Sequence, residues 1–109
     1  VLRRAYEESP SCAGNRTATQ EGIDDEEFCE YLYLYSISDS DTDSAVCRLV
    51  KTARDCHSFY VGRLCGNLFK WLIDRFWLAR AEVYYPQCVS DLESDQTPLP
   101  PSPASVTVD

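Results

Sequence analysis

Cys47, Cys56 and Cys65 stand nine residues apart, twice over, in the proline-free stretch CRLVKTARDCHSFYVGRLC. Leu49, Val50, Ala53, Phe59 or Tyr60, and Leu64 place apolar residues at helical intervals along it, so the stretch reads as one central helix. Nine residues at about 100° each come to roughly half a turn, which turns Cys56 away from Cys47 and Cys65. At about 1.5 Å rise per residue, neighbouring cysteines of such a helix lie roughly 13 Å apart, beyond the ~7 Å between Cα atoms that a disulfide tolerates. None of the three can bond another while the helix runs unbroken. Each must take its partner from Cys12, Cys29 or Cys88, which cuts the roughly 15 pairings open to six cysteines to about six. Gly62 is the weak point, since a helix ending there would let Cys65 fold back toward Cys56.

Staples matter here because the chain is short. Its 109 residues make one domain, and polar ends leave roughly 75 to 80 residues to fold, marginal for an unaided core. Six cysteines point to an oxidising compartment and three disulfides, each contributing on the order of 2 to 4 kcal/mol. No C-x2-C or H-x3-H spacing occurs, so neither a zinc site nor another cofactor is expected. The chain has no methionine and no apolar run long enough for a signal peptide or a membrane span, and reads as processed or trimmed. Asn15-Arg16-Thr17 is a glycosylation sequon in a polar stretch, making Asn15 the candidate acceptor.

A net charge of −8 argues against general nucleic-acid binding. The charge is unevenly placed. Residues 1–47 carry eleven acidic and three basic side chains, whereas residues 48–80 carry seven basic ones against Asp55 and Asp74. The positive middle is either neutralised internally by the acidic flanks or used for binding.

Residues 1–22 show little apolar periodicity and read as a polar loop anchored by Cys12. Asp24-Asp25-Glu26-Glu27 suits the first turn of a helix over 24–36, in which Phe28, Leu32 and Tyr35 form an apolar i, i+4, i+7 stripe. The YLYLY alternation also fits a strand, but no second strand is in sight to pair with it. Residues 36–44 form a polar connector. Its Asp39, Asp41 and Asp43 do not make an EF-hand, because Ser44 and Val50 occupy the places of the required glycine and glutamate. Asp43 or Ser44 is expected to cap the central helix, over 44–62. A third helix, over 66–85, ends at Pro86, with Leu68, Phe69, Leu72, Ile73, Phe76, Ala79 and Val83 on one face. Residues 23–88 are thus the helical disulfide-rich domain. Residues 89–109, rich in Pro, Ser, Thr and Asp, read as a stalk or disordered tail, with membrane attachment through a removed C-terminal signal one route open to it.

Catalysis finds little support. The single histidine, His57, is followed by Ser58 rather than the aspartate of a secreted phospholipase-type helix, and no phosphate-binding glycine loop occurs. Trp71, Trp77 and Leu78 lie off the apolar face of the third helix, with Arg75 one turn from Trp71. They are covered by the N-terminal loop or form an exposed patch. In the second case Trp71, Arg75 and Leu78 are the partner-binding candidates, supported by the basic residues Arg48, Lys51 and Arg63.

The segment Val46-Cys47, eight residues, Cys56, eight residues, Cys65, then a long amphipathic helix to Cys88 resembles the neuritin family, as does Phe28-Cys29 with Leu32 and Leu34 before an acidic linker. That resemblance implies an extracellular, lipid-anchored or shed neurotrophic-type ligand acting in neurite growth and synapse maturation. GIDDEEFCEYL and CGNLFKW are similar to segments of the N-terminal domain of repulsive guidance molecules, which implies a module binding growth factors of the bone morphogenetic type. A diffusible toxin- or pheromone-like signal shares the same architecture. The expectation is a small all-α, disulfide-stapled three-helix bundle, secreted or on the outer face of the plasma membrane, that recognises an extracellular or cell-surface protein and is not an enzyme.

Overall fold

The structure is a computed structural model and describes residues 2–101. It shows an all-α bundle stapled by three disulfides, with no strand among the described residues. The helices are α1 (Leu2–Glu8), α2 (Arg16–Tyr33), α3 (Asp43–Cys65), α4 (Asn67–Tyr84) and α5 (Val89–Glu93), with a 3-10 turn at Pro86–Cys88. α2 and α4 both pack on α3, which makes α3 the spine of the fold.

α3 is one unbroken helix. Thr42 caps it, its Oγ1 accepting from the Ala45 N–H at 3.2 Å, in place of the expected Asp43 or Ser44. The helix passes through Gly62 and stops at Gly66, whose φ of +94° lies in the region that favours glycine. The Gly66 N–H bonds back to the Gly62 carbonyl at 2.9 Å, and α4 starts at the next residue. Because α3 runs through to Cys65, all three of its cysteines bond outward: Cys12–Cys65, Cys29–Cys56 and Cys47–Cys88, with Cα atoms 5.8, 5.8 and 5.2 Å apart.

The core lies where α3, α4 and the C-terminal turn meet: Val50, Ala53, Trp77, Cys88 and Leu92 are fully enclosed, with Leu34, Val46, Cys47 and Ala81 beside them. Buried Val46, Val50, Ala53, His57 and Val61 form the inward stripe of α3, while Phe59, Tyr60 and Leu64, expected inside, are exposed. On α4 the inward stripe is Asp74, Trp77 and Ala81, with Leu68 buried near the helix start, and the expected apolar face turns Phe76, Ala79 and Val83 to solvent. Asp74 explains the error: a carboxylate that accepts from Ser58 Oγ at 3.1 Å and from the Thr97 N–H at 2.9 Å sits in the buried stripe, where hydrophobic patterning does not look for one.

Both chain ends depart from expectation. The stretch expected as a loop is helical over much of its described length: α1 covers 2–8 and α2 begins at Arg16, capped by Asn15, whose Oδ1 accepts from the Ala18 N–H at 3.1 Å. α2 is tied to α3 by the Cys29–Cys56 disulfide and by the bond between the Gly22 carbonyl and His57 Nε2, links that leave almost no hydrophobic signature. α1 and the following turn are held to the ends of other elements, Ser9 Oγ donating to the Cys65 carbonyl at 3.1 Å and Arg4 Nη2 to the Pro100 carbonyl at 2.7 Å. Nor are residues 89–101 a free tail. Leu92 is in the core, and buried Arg54 clamps Asp95 by two bonds, Nη2 to the carboxylate at 2.7 Å and Nη1 to the carbonyl at 3.2 Å. Lys51 Nζ adds a longer contact to the same carboxylate, 3.4 Å. Residues 102–109, the remainder of the expected stalk, lie outside the described residues.

Candidate functional site

The partner-binding trio expected on α4 is occupied by the chain itself. The Arg75 guanidinium lies 4.3 Å over the Trp71 ring, and Arg75 donates to the Gln96 side chain and, at 3.3 Å, to the Thr97 carbonyl. Both residues are half-buried, held by the C-terminal segment rather than by the N-terminal one. Leu78 packs against the core. Of the basic residues expected to support them, Lys51 faces Asp95, Arg63 sits 5.6 Å over the Phe59 ring, and Arg48 is exposed near the opposite end of α3 from Arg63. Trp77, grouped with Trp71 in the sequence reading, is the centre of the core.

The exposed apolar surface lies elsewhere. Phe28, Tyr31 and Leu32 of α2 and Tyr35 in the turn just beyond it, at i, i+3, i+4 and i+7, are all exposed, Tyr31 at 65% and Tyr35 at 75%. The sequence pattern picked out Phe28, Leu32 and Tyr35 of this stripe without giving its direction; the structure turns it to water, with the Cys29–Cys56 disulfide holding another side of α2 against α3. Tyr31 and Tyr35 meet edge to face at 5.6 Å, Phe28 meets Tyr60 of α3 at 6.1 Å, and Tyr60 meets Phe59 at 5.6 Å, with Arg63 over Phe59. A single aromatic face therefore runs from α2 onto α3. Glu21 and Asp25 line the surface beside Tyr60 and Arg63, and they and Asp24 form no ion pair among the described residues. Burial and the neighbouring Asp24 charge raise the Asp25 carboxyl above its ordinary range.

On its other side α2 stands apart from α4, and a trough opens between them. Its outer part, about 810 Å³ and open to solvent, has Ile23, Glu26, Glu27 and Glu30 on one wall and Phe76, Ala79, Arg80 and Tyr84 on the other. Its deeper part, about 260 Å³, is lined mainly by apolar side chains, with Val61 of α3 and Phe69 and Ile73 of α4 among them; Ile23, Glu26 and Phe76 border both parts. Arg80 bridges the walls, its Nη1 donating to Glu26 Oε1 at 2.7 Å and to Glu30, while its guanidinium lies 5.0 Å over the Trp77 ring. Burial and the adjacent Glu30 push the Glu26 carboxyl upward against the pull of Arg80.

His57 sits at the base of this trough, buried. Indole N–H groups only donate, so the 3.0 Å bond from Trp77 Nε1 makes His57 Nδ1 the acceptor. The ring proton is then on Nε2, which donates to the Gly22 carbonyl of α2 at 3.1 Å. Burial holds the imidazole below its usual pKa, so the neutral form that this pair of bonds requires is also the favoured one. The role is to tie α2 to α4 through α3. The asparagine of the sequon, Asn15, is exposed at the start of α2; its cap bond uses Oδ1 and leaves Nδ2 out of that bond.

Among the described residues no cluster of His, Cys, Asp and Glu is arranged to hold a metal ion, and no helix is long and apolar enough to cross a membrane. Compared with known family models, curated proteins and solved structures, the chain matches none.

Proposed function

We propose that the protein is an extracellular recognition module, secreted or held at the outer face of the plasma membrane, which binds another protein through the aromatic face of α2 and α3. The observation that carries this reading is the run of Phe28, Tyr31, Leu32, Tyr35, Tyr60 and Phe59 on the surface of a fold whose three disulfides suit an oxidising compartment. A chain that leaves such a run in water forgoes its burial, and large aromatic side chains with an arginine at the edge are the residues that dominate binding energy at protein interfaces. Neurotrophic signalling of the neuritin type is the specific form we assign to it, on the cysteine spacing alone. The exposed Asn15 adds a proposed N-linked glycan, checked by the loss of mass on glycosidase treatment of protein made in a secretory host and its absence in Asn15→Gln.

The test is a binding screen of the oxidised protein against purified neuronal receptor ectodomains and growth factors of the bone morphogenetic type, with reduced, alkylated protein as control. A fold-dependent receptor hit that Tyr31→Ser/Tyr35→Ser abolishes supports the reading, whereas a growth-factor hit moves it to the guidance-molecule class. A hit that this double variant leaves unchanged, or no fold-dependent hit in either set, overturns it.

A further inference from the structure

The trough between α2 and α4 is a second surface, separate from the aromatic face, and its shape and charge specify what fits it. α2 and α4 lie on α3 like two helices of a bundle whose fourth member is missing. From Ala18 to Glu30 the α2 wall runs about 18 Å at 1.5 Å per residue, room for roughly three turns of another helix. The floor is apolar, with Val61 and Ile73, and Phe76 stands on the α4 wall, while the α2 wall carries Glu26, Glu27 and Glu30. Arg80 is the basic residue of the lining and is already engaged by Glu26 and Glu30, so Glu27 and one net charge of that triad await a cation. An open trough of this length cannot enclose a small molecule in the way that ligand pockets do. A second copy of this chain is a poor occupant, because it brings a net charge of −8 to an acidic wall.

We propose that the α2–α4 trough docks a basic amphipathic helix of a partner protein, its apolar face against Ile23, Val61 and Phe76 and its lysine or arginine side chains toward Glu27 and the Glu26–Glu30 pair. This is the helix-in-groove mode of recognition, in which an apolar stripe supplies affinity and flanking charge supplies orientation. It adds a partner class to the recognition module and rests on a different surface.

The experiment uses the full oxidised chain and a labelled peptide of about 15 residues, long enough to form a helix on docking, with leucine at i, i+3, i+4 and i+7 and lysine elsewhere. Two further peptides are titrated alongside: the same composition in shuffled order, and the same pattern with glutamate for lysine. Anisotropy reads affinity and amide chemical shifts read position. The expected result is saturable binding of the patterned lysine peptide alone, with shifts at Ile23, Phe76, Ala79 and Tyr84. Glu27→Lys should weaken it roughly three- to tenfold, and Ala79→Arg, at an exposed helical position lining the trough, by more than about tenfold, both with unchanged melting. Equal binding of the shuffled peptide, binding indifferent to both variants, or no binding overturns the proposal. Shifts confined to Tyr31, Tyr35 and Tyr60 overturn it too, while leaving the aromatic-face reading standing.

Discussion

Trp71 on α4 and Tyr31 on α2 are both large aromatic residues off the buried stripe of their helix, and they meet opposite fates. Trp71 is stacked under Arg75, which residues 96–97 hold in place; Tyr31 is 65% exposed, with the ring of Tyr35 against it. The difference is not in the helices but in what the chain does afterwards. Arg54 and Asp74, both buried, hold Asp95 and Thr97 and so draw the C-terminal segment over α4, while among the described residues no segment covers the aromatic side of α2. Beyond core Leu92, polar anchors decide which aromatic surface this fold keeps and which it offers.

The comparison breaks most completely if α2 is released. Replacing Cys29 and Cys56 together by alanine should cost about 2 to 5 kcal/mol. Hydrogen exchange should then show α2 amides losing protection while those of α4 beneath the C-terminal segment keep theirs; equal loss on both sides would mean that the two surfaces are not independently supported. Next in size, Arg54→Ala removes the clamp on Asp95. Asp95 is half-exposed, so the cost should be about 2 kcal/mol rather than that of a fully buried pair, and Trp71 fluorescence should shift to the red as its cover lifts.

Acid should separate the two sides. His57 has its folded pKa below the ordinary 6.5, so the unfolded chain takes up the proton first and stability falls as pH drops below about 6.5, by at most about 1.4 kcal/mol per pH unit until the folded imidazole also titrates. Asp95 is held below 3.8, chiefly by its bond to Arg54; its contribution is present above that value and is lost as pH falls through its lower folded pKa. Between these ranges the α2 side should loosen while the clamp over α4 holds, and the upper phase of a pH–stability curve should vanish in His57→Gln. The smallest effect belongs to the open face. Tyr31→Ser/Tyr35→Ser should change stability by less than about 0.5 kcal/mol, because both rings are already in water; a larger loss in a denaturant melt would show that the face is structural.

Much of the frame was legible in the cysteines. Their nine-residue spacing required outward pairing of all three helical cysteines, a consequence of helix geometry alone, and the pairs formed are among the six it left open. The aromatic stripe on α2 was also visible, but not its direction, since periodicity locates a face without saying whether it turns inward or outward. What stayed hidden was carried by residues outside the hydrophobic code: buried Arg54, His57, Ser58 and Asp74, whose value comes from partners distant in sequence. The capping role of Asn15 could have been found, since an asparagine before Arg-Thr-Ala-Thr-Gln-Glu is a helix-start signal. The C-terminal clamp could not, because Asp95-Gln96-Thr97 looks like any polar linker until Arg54 is placed opposite it.

The stapled α3 also constrains how such a chain can change over generations. Each residue inserted between Cys47 and Cys65 would rotate everything beyond it by about 100° and advance it by about 1.5 Å, carrying a cysteine away from a partner fixed on another helix. Substitutions on the outward sides of α2 and α4 carry no such penalty. A lineage built on this spine is therefore expected to keep the length of its central helix while its contact surfaces diverge, and length differences among its members should fall in the connector at 34–42 and beyond the clamp at 95–97.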